Sequence, residues 1–369
     1  MTRTLLSVSL AAWLFAAAGC VFVVPPEDVE QDSAATEVAA PDPSAPRMAP
    51  LDALHFDDVA DSAEIMGAVQ VLFTRYENTF TAIAREYGLG NGALRRANPS
   101  VDHWLPGEDT PVYLLTSSIL PQAEREGILI NLPSMRLYFF EPAADETGTA
   151  SVTTYPIGIG REGWATPLGE AKVTDKIVDP TWYPPASVRQ DHAERGDPLP
   201  SVVPPGPDNP LGRHAMVLSL PGYLIHGTNR PAGVGLRVSA GCIRLYPEHI
   251  EALFERVPRG TPVRIVNQPV LAGWHDGELY LEVHAPLEED ARDLAADAAE
   301  AIAAAIERAG RTDYAIDPEA VAAIVAEQRG IPLPIGMASR SPIEYLAAAR
   351  IIENTVEMPV AETAAALDR

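Results

Sequence analysis

Cysteine is nearly absent from this chain, whose 369 residues contain two, Cys20 and Cys242. That count leaves no room for a disulfide framework, and if one cysteine is consumed elsewhere the other is a lone thiol, either buried and inert or reactive. Positive charge is scarce as well. Lys and Arg together number 27 against 51 Asp and Glu, a formal net charge of −24. Binders of nucleic acid or of an anionic membrane surface need concentrated Lys and Arg, so the balance argues against both while leaving room for a local basic pocket. Past the N-terminus no apolar run has the length of a membrane helix. No phosphate loop or dinucleotide fingerprint occurs, and His192, His214, His226, His249, His275 and His284 lack the close pairing of a zinc site, so neither metal nor cofactor is expected.

At this length one hydrophobic core is usually not enough, and two or three folded units are expected. Arg3, the apolar stretch Leu5 to Ala18 and the small residues before Cys20 read as an export signal over residues 1–20, too short to span a bilayer. Ala17-Ala18-Gly19-Cys20 resembles the bacterial lipobox, which implies lipid on Cys20; the alternative is a cleaved Ala-x-Ala signal, because Ala17 replaces the usual large aliphatic. Either way the remainder is expected outside the cytoplasm, in the lipid-anchored case on the outer membrane of a Gram-negative cell, with the lipid as its only membrane contact. Residues 21–64, with Pro25-Pro26-Glu27-Asp28 and Ala40-Pro41-Asp42-Pro43, are too polar and proline-rich to offset ordering entropy and read as a disordered tether.

From 65 to 117 the pattern is strand, helix, helix, strand. Thr79 opens a helix with Phe80, Ile83, Ala84 and Tyr87 on one face, and Asn98-Pro99 ends a second. Thr79-Phe80-x-x-Ile83-Ala84-x-x-Tyr87-Gly88, Leu94-x-x-Ala97-Asn98-Pro99 and Leu105-Pro106-Gly107 resemble a LysM domain, which implies contact with the N-acetylglucosamine backbone of peptidoglycan; Glu77-Asn78 departs from the family's Gly-Asp. Residues 126–267 are β-rich, with Pro247 to Arg256 the one helical stretch and a long proline-rich segment, Trp182 to Arg213, of the kind that serves as a functional lid. Residues 268–369 begin with a strand and continue as Ala-rich helices with acidic outer faces, for which a packing or interaction role is the default.

The chemistry concentrates in Ile225-His226-Gly227-Thr228-Asn229 and Gly235-Leu236-Arg237-Val238-Ser239-Ala240-Gly241-Cys242-Ile243-Arg244-Leu245. A thiol attacks carbonyl carbon as thiolate and needs a base or a cation nearby. His226 can serve if the Gly/Pro-rich loop between the two folds back, and the small residues Ala240 and Gly241 would let successive backbone N–H groups converge on an oxyanion.

These two stretches, with Pro156-Ile157-Gly158-Ile159-Gly160 and Thr166-Pro167-x-Gly169, resemble the YkuD domain of L,D-transpeptidases, in the branch that attaches the major outer-membrane lipoprotein to peptidoglycan. The resemblance implies a mainly β fold, a sandwich or barrel with one or two short helices, and a cysteine acyl transfer on peptidoglycan tetrapeptide stems. The product is a 3-3 cross-link, or a lipoprotein joined to the wall through a lysine. On the same fold, hydrolysis is the alternative outcome; a non-catalytic wall-binding scaffold is the other alternative. Carried over by position, Cys242 is the nucleophile, His226 its base, Gly227 the carbonyl that orients the imidazole, and Ala240, Gly241 and Cys242 the oxyanion amides. Arg244 holds a substrate carboxylate or braces the loop, and Ser239, Asn229 and Arg237 join the substrate side. The family's second histidine, beside the nucleophile, is Ala240 here.

Overall fold

The structure is a computed structural model that describes residues 41–357 apart from 53, 60–61 and 142–149. The leader and Cys20 lie outside the described residues. The fold is mainly β. A nine-stranded mixed sheet runs in the spatial order His55–Val59, Ala150–Pro156, Arg136–Glu141, Gly127–Asn131, Pro262–Val266, Gly169–Val178, His214–Leu218, Leu224–His226 and Ile243–Arg244. Its middle is set by hydrophobicity. Gly127–Asn131 is buried at every position and pairs in parallel with Pro262–Val266, in register Ile128 to Val263 and Ile130 to Ile265, as a strand covered on both faces should. The sheet curls round a core that includes Ile128, Leu137, Val173, Met216, Ile225 and Ile243. Pro247–Arg256 closes this core as expected, with proline in its first turn and His249, Ile250 and Leu253 buried on one face.

The strand–helix–helix–strand segment consists of Gln70–Phe73, Phe80–Glu86, Asn91–Ala97 and Pro111–Leu114, the two strands antiparallel with Val71 opposite Tyr113. Thr79 caps the first helix through its side chain, which accepts the Ala82 N–H at 3.3 Å. A third strand, Arg350–Ile352, lies parallel to Gln70–Phe73 and comes from the far end of the chain. Phe80, Ile83 and Leu94 share one apolar core with Leu281, Val283, Ala298, Ile302 and Ile352. The segments 65–117 and 268–369, separate in the sequence reading, therefore have no separate cores. The helices Leu294–Ala309 and Pro318–Glu327 are capped by Asp293 and Asp317 and cover the hairpin Val270–His275 with Glu278–Val283.

Two expectations are corrected by these contacts. Residues 41–59, assigned to the tether, are built into the fold: His55–Val59 is an edge strand on Ala150–Pro156, Met48 bridges to Ile352, and the Leu51 N–H bonds Gln70 Oε1 at 2.7 Å. Phe56 and Val59 pack beside Met66, Tyr138 and Val152, enough to seat a short strand that average composition conceals. The Trp182–Arg213 segment is not wholly irregular, since it contains the helix Ala186–Glu194, started by Pro184-Pro185 and burying only Val188. It is cross-braced by the Trp182–Val203 bridge and by Asn209, whose side-chain amide bonds the carbonyls of Pro180, Val203 and Pro204.

Candidate active site

The site is assembled by a parallel pairing at the edge of the large sheet. Ile225 lies opposite Ile243 and His226 opposite Arg244. Both isoleucines are fully buried and anchor the pair to the core, and side chains alternate along a strand. His226, Arg244 and Cys242 consequently share the opposite face, although the sequence separates the first from the last by a whole loop. That loop turns through Pro231–Gly233 and returns as Arg237–Ser239, which pairs with Ile159–Gly160.

His226 is buried, and its Nδ1–H donates to the Gly227 carbonyl at 2.6 Å. A carbonyl only accepts, so this bond fixes the tautomer and leaves the lone pair on Nε2. Burial, seconded by the nearby Arg244 cation, pushes the imidazole down to about 3, against the pull of the Gly227 and Leu211 carbonyls. The ring is neutral at any ordinary pH. Cys242 is partly buried and is the free thiol among the described residues. Its Sγ–H points to the Gly222 carbonyl at 3.7 Å. Burial raises the thiol above its usual value, while the Leu224 amide and Arg244 act in the opposite direction. At rest the pair is thus thiol and imidazole, both uncharged.

The turn that carries the thiol is held from inside. Gly241 has φ +102°, and a Cβ there would come within 2.8 Å of the Tyr223 ring, so both its backbone conformation and its surroundings require glycine. The Ser239 hydroxyl donates to the Cys242 carbonyl at 2.6 Å and accepts the Gly241 N–H at 3.2 Å. Thr166 Oγ1 donates to the Gly241 carbonyl at 2.9 Å and accepts the Gly160 N–H at 3.0 Å. Thr166 was visible in the sequence only as part of a motif; its clamp on the nucleophile turn is a product of the fold. The neighbouring loop is tied to the helix Ala186–Glu194 by the Arg161–Asp191 ion pair at 2.7 Å, which brings the proline-rich segment to this side of the sheet.

Of the three expected oxyanion amides, Gly241 is committed to Ser239, whereas the N–H groups of Ala240 and Cys242 have no protein partner among the described residues. The expected substrate-side residues divide. Ser239 is buried and spent on the turn. Arg237 is committed to a bidentate pair with Glu289 at 2.8 and 2.9 Å and to the Gly160 carbonyl at 3.0 Å, so it is a brace. Asn229 is exposed beside the site, and Ala240 is exposed at its rim. Arg244 forms no ion pair among the described residues, and its Nε is buried without a partner. Burial and the neighbouring Arg230 hold the guanidinium below its ordinary value. Arg230, which sequence reasoning passed over, is the second cation of this corner. Among the described residues no group of three or more His, Cys, Asp or Glu is placed to hold a metal ion.

The strand–helix–helix–strand segment backs the same loop. The Asn91 N–H bonds the Val234 carbonyl at 3.2 Å, the Tyr246 hydroxyl bonds the Leu89 carbonyl at 3.1 Å, and a Cβ on Gly90 would lie 2.8 Å from Gly235 Cα. The turn between its helices is therefore packed directly against the return to Cys242.

The model of the L,D-transpeptidase catalytic domain, YkuD, matches residues 125–265. The Escherichia coli K12 protein named "Probable L,D-transpeptidase YcfS" is 45% identical over 213 residues, 56% of this chain and 65% of that one. "Probable L,D-transpeptidase YbiS" of the same organism is 43% identical over 231 residues, 62% of this chain and 74% of that one. For "Probable L,D-transpeptidase ErfK/SrfK", also from E. coli, the values are 37% over 260 residues, 70% and 82%. A solved catalytic domain of the Enterococcus faecium L,D-transpeptidase is covered over 100% of its length and 40% of this chain at 23% identity, with a TM-score of 0.29, too low to carry a structural argument. Extensive identity to these relatives, together with a catalytic-domain match that contains His226, Cys242 and Arg244, shows that the chain belongs to the L,D-transpeptidase family.

Proposed function

We propose that this protein is an L,D-transpeptidase that transfers the acyl group of a peptidoglycan tetrapeptide stem through a thioester on Cys242. The observation that carries the reading is the parallel register of Leu224–His226 with Ile243–Arg244, which sets on one face a thiol, an imidazole of fixed tautomer and a guanidinium with no ion-pair partner among the described residues. In the first step the thiol proton moves toward His226 Nε2 as sulfur attacks the carbonyl that joins the L-centre of diaminopimelate to terminal D-alanine. The C–S bond forms, and the oxyanion is met by the Ala240 and Cys242 amides. The C–N bond then breaks and the leaving D-alanine amine takes the proton from the imidazole. An acceptor amine next attacks the thioester as His226 Nε2 takes its proton; C–N forms, C–S breaks, and the imidazole returns that proton to sulfur, restoring the thiol.

Arg244 and Arg230 suit the carboxylate groups that such a stem carries, because a cation that meets no counter-charge among the described residues is stabilised by an anionic ligand. The acceptor is a second stem, giving a 3-3 cross-link, or the lysine of a wall-bound lipoprotein. The segment 65–117 is a LysM-like module that steers the enzyme to glycan, and Cys20 carries the lipid that holds it at a membrane outside the cytoplasm. Cys242→Ala should abolish D-alanine release from purified tetrapeptide muropeptides, with the protein still folded. Undiminished release from that variant removes the assignment. Supplying a diaminopimelate stem or a lysine-ended peptide as acceptor, and reading the products by mass, assigns the second substrate.

A further inference from the structure

The segment that cradles the thiol contains an aromatic residue which neither the motif nor the acyl-transfer scheme uses. We propose that Tyr223 is a substrate-contacting residue of this site, its phenol binding a backbone amide of the donor peptide beside the thiol; the inference rests on the transpeptidase reading above. Tyr223 closes the turn after His214–Leu218: its N–H bonds the Leu220 carbonyl at 3.2 Å and its carbonyl accepts the Leu218 N–H at 3.1 Å. Both chain neighbours hold the sulfur, Gly222 through its carbonyl at 3.7 Å and Leu224 through its amide. The ring turns onto the nucleophile turn, with Cε1 2.8 Å from where a Cβ would stand on Gly241. The side chain is half-buried against the core, yet its hydroxyl has no hydrogen-bond partner among the described residues.

A phenol whose ring is fixed and whose hydroxyl is left unused offers an uncharged donor and acceptor at low entropic cost. That chemistry matches a peptide amide, whereas the Arg244 and Arg230 corner matches carboxylates. On the nucleophile turn that the Tyr223 ring touches, Ala240 stands where the family pattern has an imidazole. Tyr223 supplies a polar group on that side without adding charge next to the thiol.

The test compares the full chain with its Tyr223→Phe and Tyr223→Ala variants by D-alanine release from a tetrapeptide muropeptide and by the rate at which iodoacetamide alkylates Cys242 across pH. Tyr223→Phe should lower kcat/KM about fivefold to tenfold, mainly through KM, as loss of one neutral hydrogen bond does. Its alkylation rate and pH midpoint should match the unmodified protein. Tyr223→Ala should cost more and also alter alkylation, because the ring no longer backs Gly241. Unchanged kcat/KM in Tyr223→Phe overturns the inference while leaving transpeptidation intact. A shifted alkylation midpoint in Tyr223→Phe overturns it too, since the hydroxyl would then act on the thiol. No D-alanine release from the unmodified chain defeats the underlying reading and the inference with it.

Discussion

Cys242 and His226 are held in the uncharged forms by their partial and full burial, and this decides how the thiol should behave toward small reagents. The structure raises the thiol and depresses the imidazole to about 3, so no thiolate–imidazolium pair is stored at rest. Alkylation by iodoacetamide should accordingly climb with pH and reach half its maximum above the usual thiol value of about 8.5. A midpoint below neutrality would show a preformed ion pair and contradict this electrostatic picture. Thr166 gives a second test at this scale. Thr166→Val keeps the shape but leaves the Gly160 N–H and the Gly241 carbonyl without their buried partner, which should cost about 2 kcal/mol in denaturant unfolding. D-alanine release should fall with it, because the Gly241 turn loses its clamp. Cys242 and His226 could be picked out as candidates by residue type and spacing, and Arg244 by its place in the family motif. The commitments of Ser239, Arg237 and the Gly241 amide were not legible: Arg237 is taken by Glu289, 52 positions on, and the short-range bonds of Ser239 to Gly241 and Cys242 arise in a turn that Thr166 and Tyr223 close from elsewhere in the chain.

Among the elements, the strand Arg350–Ile352 joins the last part of the described chain to the strand–helix–helix–strand segment. It extends the sheet of Gln70–Phe73, and the residues after it are bonded to the same segment: Asn354 to Phe73 and Asn78, and Thr355 to Tyr87. Truncation after Ala349 removes Ile351, Ile352 and Val356 from the shared core, each buried side chain being worth about 2 kcal/mol. The truncated protein should show a lower Tm and faster proteolysis within residues 65–117. Unchanged proteolysis there would mean that the segment is stable without its third strand. The four-element pattern of that segment could be read from helical periodicity and from Pro and Gly punctuation. Its partner strand could not, because three residues after a short helix carry no periodic signal and pair with a strand 280 positions earlier. The edge strand His55–Val59 escaped notice for a related reason, lying at the end of a long proline-rich and acidic stretch.

At the scale of the whole molecule, two buried histidines couple protonation to folding. His226 is pushed down to about 3 and His249, packed between Tyr155 and Tyr246, to about 4, burial being the first cause in both. In the unfolded chain each titrates near 6.5. Between those values the unfolded state binds more protons than the folded one, so stability is fully present above about 6.5 and is lost as pH falls toward 4 and then 3. Thermal unfolding followed from pH 7 to pH 4 should show Tm decreasing steadily, and His249→Gln should flatten that dependence even if it lowers Tm at pH 7. A Tm that is level over this range would contradict the neutral burial of these rings. The mainly β class and the catalytic region were legible in the chain, because strands bounded by Gly and Pro keep their signal wherever they lie. The joining of the first and last thirds into one core was not, since that union rests on burial between segments with no mark in either.

The central claim is that acyl transfer passes through a thioester on Cys242. Mixing the full chain with a purified tetrapeptide muropeptide, quenching in acid and measuring intact mass with peptide mapping tests it most directly. The expected products are an adduct on Cys242 equal to the donor less D-alanine and D-alanine released in step with it, with neither product from Cys242→Ala. D-alanine release from Cys242→Ala, or an adduct mapped to another residue, would contradict acyl transfer through Cys242.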